Sequence, residues 1–148
     1  MIPSQRQRFT AFVIFQGSEH RRFWRVFTRR KWRHCLVVVP FYYPAPSLTA
    51  DVYSIIINPI TFTVRLDVAF QEPRDVVNDM LEYGYTAAIA VPVDHDYKVD
   101  YVPRGLLTCV SLVKAIIGVR AWYVWTPEHL ARYLARMGGE IITRKVKA

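Results

Sequence analysis

The chain has 148 residues with a formal net charge of +8, and 52% of its residues are hydrophobic. This length suffices for one domain with an ordinary core, and the apolar content excludes an intrinsically disordered protein. The two cysteines, Cys35 and Cys109, are too few for a disulfide framework, and the cysteines and histidines show no metal-ligand spacing, so we predict no metal and no cofactor.

Runs rich in apolar and β-branched residues predict four strands in the first half of the chain. These strands are Ala11–Gln16, Cys35–Phe41, Val52–Asn58 and Thr61–Val68. The last two are predicted to form a hairpin whose tight turn is Asn58-Pro59-Ile60. Between the first two strands, apolar residues at helical spacing predict a short helix over His20–Arg30. After the second strand, prolines predict a turn at Tyr43–Pro46.

Helical periodicity and end signals predict three further helices. Glu72–Tyr83 has Pro73 in its first turn and Gly84 after its end, with one apolar face formed by Val76, Val77, Met80 and Leu81. Cys109–Ile117 is apolar almost all round and predicts a buried central helix with only Ser111 and Lys114 facing water. The last helix begins at Thr126-Pro127, ends at Gly138-Gly139 and turns Leu130, Tyr133, Leu134 and Met137 inward.

One further strand and two polar stretches are predicted in the rest of the second half of the chain. Thr86–Val93 is the strand, and Asp94–Arg104 is loop-like. Glu140–Ala148 is a basic tail that we interpret as a possible edge strand. The absence of an apolar run near 18–20 residues predicts no transmembrane segment.

The basic residues are concentrated near the N-terminus. Residues 1–50 hold nine Lys/Arg and one acidic residue, and seven of the nine lie between Arg21 and Arg33. Such a cluster can bind phosphates or an acidic protein face, although a solvated basic surface is the simpler interpretation. The arginines predicted to contact a partner are Arg21, Arg22, Arg25, Arg29 and Arg30.

One pair of residues could perform chemistry. Cys109 lies at a predicted helix N-terminus, where the helix dipole and free N–H groups favour a thiolate. His34 lies at the start of a predicted strand, and antiparallel pairing with Val52–Asn58 would bring Asn58 beside it as the group that orients the ring. The structural alternatives stay open: an inert buried cysteine, a histidine of the basic cluster and an asparagine required by a turn.

Two short runs carry a resemblance to a known family. They are WRHCLVV, which begins at Trp32, and LTCVSLVK, which begins at Leu107 and is followed by the Thr126-Pro127 helix. Together they resemble small proteins of tailed phages and prophages. More distantly they resemble the circularly permuted papain-like hydrolases, which include permuted relatives of the NlpC-type peptidases and the lecithin:retinol acyltransferase-like enzymes. In those enzymes the strand histidine precedes the helix cysteine.

The resemblance implies an α+β, permuted papain-like single domain over residues 1–148, with a basic N-terminal segment and a basic C-terminal tail. A central antiparallel sheet would pack against the buried helix that carries the cysteine. It also implies Cys109 as nucleophile and His34 as base, with Asn58 matching by its position after a strand. Gln16 is a weak candidate for the side chain that binds the oxyanion.

Three functions follow as expectations. The first is a phage-associated cysteine hydrolase, an amidase, peptidase or acyl-transfer enzyme acting on a peptidoglycan peptide or an acyl substrate. The second is a virion or assembly component that keeps this fold to dock on acidic phage structural proteins. The third is a nucleic-acid-binding protein that uses the basic cluster. The expected location is the host cytoplasm during synthesis, with possible association with the virion.

Overall fold

The computed structural model describes residues 7–17, 34–42, 52–60, 63–95 and 108–144. These residues form an α+β fold of six strands and three helices. In chain order the elements are β1 (Gln7–Gln16), β2 (His34–Tyr42), β3 (Val52–Ile60), β4 (Thr63–Ala69), α1 (Pro73–Glu82), β5 (Ala87–His95), α2 (Cys109–Ile117), α3 (Pro127–Arg136) and β6 (Glu140–Ile142).

The strands form one antiparallel sheet in the order β4-β3-β2-β1-β5-β6. β1 is central and pairs with β5 from Gln7–His95 to Phe15–Ala87. On its other side β1 pairs with β2 as far as Gln16–His34. The predicted antiparallel sheet is therefore confirmed, and so is the predicted pairing of β2 with β3.

Helices cover both faces of the central strands. Val13 and Phe15 pack toward α2 and α3, whereas Phe12 and Ile14 pack toward α1. Because both faces are buried, β1 and β2 are continuous apolar runs rather than alternating ones. The side of the sheet that α2 and α3 cover is the one on which the candidate site is built.

The end signals of the helices act as predicted. Thr126 accepts a hydrogen bond from the backbone N–H of His129 at 3.1 Å and so begins α3. Gly84 follows α1 with a φ of 110°, a conformation that favours glycine. None of the helices within the described residues is long and apolar enough to span a membrane.

Three sequence predictions are wrong. Asn58 and Pro59 do not form the hairpin turn, since they lie inside β3, which continues to Ile60. Pro59 is tolerated there because the pairing of β2 with β3 has already ended at Val37–Ile57, where no further N–H is required. Met137 is exposed rather than inward-facing, because it caps the end of α3, where the backbone leaves the helix.

The third wrong prediction concerns Lys114, which does not face water. It is buried, and its ammonium group donates hydrogen bonds to the carbonyl oxygens of Ala121 (2.6 Å) and Val124 (3.2 Å). Burial lowers the pKa of this lysine. Lys114 therefore joins α2 to the segment that leads into α3.

Several predictions lie outside the described residues. They are the helix His20–Arg30, the turn Tyr43–Pro46, most of the loop Asp94–Arg104, and the five arginines Arg21, Arg22, Arg25, Arg29 and Arg30. The proposed edge strand is present as β6, which pairs with β5 from Ala90–Glu140 to Ala88–Ile142.

Candidate active site at the start of helix α2

Helix α2 begins at Cys109 because Thr108 caps it. The Thr108 hydroxyl accepts a hydrogen bond from the backbone N–H of Ser111 (3.0 Å), and the Ser111 hydroxyl accepts one from the Thr108 N–H (2.8 Å). This reciprocal capping box holds the first turn in place. Within the helix, the N–H groups of Cys109 and Val110 have no intrahelical acceptor, so they can stabilise a nearby negative charge.

The Cys109 sulfur contacts Cys35 and His34, two residues of β2 that lie beyond the end of its pairing with β3. The pairing of β2 with β3 ends at Val37–Ile57, whereas that of β2 with β1 continues to Gln16–His34. Cys109 is partly buried and packs against the core cluster that includes the fully buried Cys35. Its sulfur accepts hydrogen bonds from both the thiol and the backbone N–H of Cys35.

His34 is the second group that contacts the Cys109 sulfur. Its Nε2 atom is 2.7 Å from Oδ1 of Asn58 on β3. Since an amide oxygen only accepts, this contact places a proton on Nε2 and leaves Nδ1 for the thiol. The three residues singled out from the sequence, Cys109, His34 and Asn58, are therefore brought together in one hydrogen-bonded group.

The environment of Cys109 favours its thiolate strongly. The pKa of Cys109 is lowered from 9.0 to about 4, chiefly by the hydrogen bond from the Cys35 thiol. Burial opposes this change, and the hydrogen bond from His34, the N–H of Cys35 and the charge of His34 each lower the pKa of Cys109 further. The thiolate is the form in which cysteine acts as a nucleophile. Here three hydrogen-bond donors stabilise it.

The two neighbours of Cys109 keep their protons. Burial raises the pKa of the Cys35 thiol well above its ordinary value, and the adjacent Cys109 sulfur raises it further. Burial alone would lower the pKa of His34, but its hydrogen bonds to Cys109 and Asn58 raise that pKa above 6.5. Groups whose pKa values are pushed apart in this way take distinct roles, here one anion and two proton donors.

Cys35 is the functional residue that sequence reasoning missed. The sequence shows it only as a second free thiol inside an apolar strand. Its position directly after His34 gave no signal, because neighbouring side chains of a strand ordinarily point to opposite faces of the sheet. Gln16, the candidate oxyanion donor, is partly buried at the end of β1, directly opposite His34 in the sheet register.

The described residues contain no group of three or more His, Cys, Asp or Glu side chains that could hold a metal ion. The groups that the structure brings together at the candidate site are a thiolate, an imidazole, an amide and the N–H groups at a helix N-terminus. Comparison with protein-family models, with curated proteins and with solved structures gives no match for this chain.

Proposed function

We propose that this chain is a cysteine hydrolase or acyltransferase that forms a thioester on Cys109. The observation that carries the proposal is the convergence of Cys35 and of His34, whose ring Asn58 holds, on a cysteine whose pKa is about 4. A structural cysteine in an apolar core has a raised pKa, as Cys35 does, so the lowered pKa of Cys109 indicates a reactive thiol.

In the first half of the reaction the Cys109 thiolate attacks the carbonyl carbon of an amide or ester. A C–S bond forms, and the carbonyl oxygen becomes an oxyanion that the N–H groups of Cys109 and Val110 can stabilise. His34 then donates its Nδ1 proton to the leaving nitrogen or oxygen as the bond to that atom breaks. The products are a neutral amine or alcohol and an acyl group bound to Cys109 as a thioester.

In the second half neutral His34 accepts a proton from water or from an acceptor alcohol or amine. The resulting nucleophile attacks the thioester carbonyl, the C–S bond breaks and the Cys109 thiolate returns. The thiol and the N–H of Cys35 stabilise that thiolate as it leaves. Asn58 is a positioning residue, since its Oδ1 holds the imidazole with Nδ1 toward the sulfur.

The permuted papain-like arrangement is part of this proposal. A histidine on a strand precedes a cysteine at a helix N-terminus in the chain, and the helix packs on an antiparallel sheet. An asparagine on the next strand holds the histidine, which completes the set of roles that the resemblance implies. The phage origin, the location and the docking role on a virion stay predictions that depend on the resemblance alone.

The proposal is tested by following acylation with an acyl para-nitroanilide, whose nitrogen must take up a proton as it leaves, and by locating the acyl group with peptide mass spectrometry. We expect the acyl group on Cys109 and none on Cys35. His34→Ala should slow acylation at least a hundredfold, the lower end of the range for a catalytic acid–base group. His129→Ala, which removes an exposed histidine on α3, is the matched control and should leave acylation unchanged.

Two results would contradict the proposal. One is acylation of Cys35, which would show that the sulfur on Cys109 is not the nucleophile. The other is an unchanged rate in His34→Ala with the fold intact by circular dichroism. Supplying a peptidoglycan stem peptide or a lipid ester to the wild-type enzyme then distinguishes amide from ester chemistry by the product released.

A further inference from the structure

The segment between α2 and α3 exposes large aromatic side chains. We call residues 118–125 the aromatic loop. Trp122 is 79% exposed, Trp125 is 71% exposed and Tyr123 is 55% exposed. Met137, at the end of α3, is 69% exposed. Two tryptophans more than 70% exposed within four residues are unusual on a free protein surface and are typical of an interaction site.

Two backbone carbonyl groups of the aromatic loop accept hydrogen bonds from a buried side chain. Buried Lys114 donates to the carbonyl oxygens of Ala121 and Val124, and the N–H of Val124 donates to Ala121 at 3.3 Å. Val124 is itself buried. The loop is therefore fixed to the core, and carbonyl groups beside the tryptophans do not need water as a partner. A loop that enters an apolar medium must meet this requirement.

The surroundings of the aromatic loop are basic. Both acidic residues of the segment 118–144 are in ion pairs, Glu128 with Arg132 (2.6 Å) and Glu140 with Arg74 (2.9 Å). Arg120 and Arg136 are exposed and have no acidic partner among the described residues. The surface thus combines apolar and aromatic groups with unpaired positive charge.

A cavity of about 380 Å³ lies between the aromatic loop and α3. Its walls include Tyr123 and Tyr133, together with His129, Arg132 and Arg136. Aromatic walls with guanidinium groups on one side suit an anionic group attached to an apolar body. The cavity therefore has the same chemical character as the exposed surface beside it.

We propose that the aromatic loop and the C-terminal half of α3 form a docking surface for the anionic headgroup layer of a lipid bilayer. Tryptophan and tyrosine prefer the bilayer interface, where an apolar ring and a polar atom are both accommodated. Arginines beside them attract anionic headgroups. Trp122 and Trp125 enter the interface, and Arg120 and Arg136 contact the phosphates.

The ring geometry distinguishes this surface from a platform for stacked nucleic-acid bases. Such a platform needs open ring faces on which successive bases lie. Here Trp122 and Tyr123 meet edge to face, with an interplanar angle of 87° and centroids 6.0 Å apart. Tyr123 also contacts Tyr133 on α3, with centroids 6.2 Å apart. The rings therefore support one another rather than presenting parallel faces.

The docking surface is separate from the candidate active site. Cys109 begins α2 and the aromatic loop follows its end, so a nine-residue helix, about 13 Å long, lies between them. We therefore expect lipid bound at the loop to leave the Cys109 sulfur accessible. The inference therefore does not depend on the proposed function, and Cys109→Ala should bind lipid as the wild type does.

The test is co-sedimentation of the full chain with vesicles of phosphatidylglycerol and phosphatidylcholine, against vesicles of phosphatidylcholine alone. We expect stronger binding to the anionic vesicles and weakening by salt. Trp122→Ala and Trp125→Ala should each weaken binding about tenfold, since each removes a side chain that enters the interface. Arg120→Gln and Arg136→Gln should each weaken it about fivefold.

Matched controls remove exposed residues elsewhere. Tyr83→Ala at the end of α1 and Arg8→Gln on β1 should bind anionic vesicles as the wild type does. The proposal is overturned if the tryptophan variants bind as tightly as the wild type. It is also overturned if free inorganic phosphate releases the protein at millimolar concentration, which would show an isolated phosphate site. If the tryptophan variants lose binding to a single-stranded oligonucleotide but bind vesicles as the wild type does, the partner of this surface is nucleic acid instead.

Discussion

Replacing His34 by alanine should raise the pKa of Cys109 by about 1–3 units, the range for losing an adjacent opposite charge and its hydrogen bond. The wild-type pKa is about 4, and an ordinary cysteine in the same scale has 9.0. The change stops short of the ordinary value because the largest cause, the hydrogen bond from the Cys35 thiol, remains. The expected pKa of the variant is therefore about 5–7.

The assay is a pH titration of the thiolate, by its ultraviolet absorbance and by the rate of alkylation with iodoacetamide. Only Cys109 contributes a thiolate near neutral pH, since the pKa of buried Cys35 is raised well above its ordinary value. At pH 6 a thiol with a pKa of about 4 is about 99% thiolate, whereas an ordinary one is about 0.1% thiolate. His129→Ala provides the comparison for removing a histidine that lies on the surface.

An unchanged titration midpoint in His34→Ala would refute the reasoning, because His34 would then not contact the sulfur. An equal shift in His129→Ala would refute it as well, because the change would reflect net charge rather than a local bond. Asn58→Ala should give a smaller rise in the pKa of Cys109, since Asn58 acts on the sulfur only through the ring of His34.

Four further predictions follow from the same structure. Cys35→Ala should raise the pKa of Cys109 in the same titration, because it removes the thiol donor. Cys35→Ser keeps a donor and should raise that pKa less. Equal rises in the two variants would contradict the hydrogen bond from Cys35. The acylation rate should rise with pH through about 4 as Cys109 ionises, and it should fall above 6.5 as His34 loses its proton. A rate that does not fall at high pH would exclude His34 as the acid. Lys114→Met removes the ammonium donor from two loop carbonyls and leaves that of Ala121 only the N–H of Val124, so thermal or urea denaturation should show a loss of about 1–3 kcal/mol. Full stability would contradict the role of Lys114. Gly139→Ala would place a Cβ 2.5 Å from the side chain of Ile89, so the same measurement should show a loss of about 1–3 kcal/mol. Unchanged stability would contradict the close packing of Gly139 against Ile89.

The sequence alone predicted most strands of the sheet and the starts of the three described helices. Strands β1 and β2 are nearly continuous apolar runs, which only a strand buried on both faces requires. Thr126 precedes α3 as the predicted cap, and the structure shows Thr108 in the same role before α2. Local hydrogen bonds to the first turn make such signals independent of the rest of the fold. For the same reason the start of α2 at Cys109 was predictable.

Signals that depend on distant partners could not be read from the sequence. Asn58 and Pro59 have the composition of a turn, but the sheet extends β3 through them, since the pairing with β4 continues to Ile60–Thr63. Lys114 has the composition of a water-facing residue, but carbonyl groups from a later segment surround its ammonium group. In both places tertiary contacts outweighed the local preference.

The candidate site shows the same division between sequence and structure. The sequence placed Cys109 at a helix N-terminus and His34 at a strand start, and strand pairing brought Asn58 beside His34. Only the tertiary structure brought the thiol and N–H of Cys35 to the Cys109 sulfur, because that contact depends on which face of β2 the helix packs against. The lowered pKa of Cys109 is therefore a property of the packed helix and sheet, since its largest cause is a residue 74 positions away in the chain.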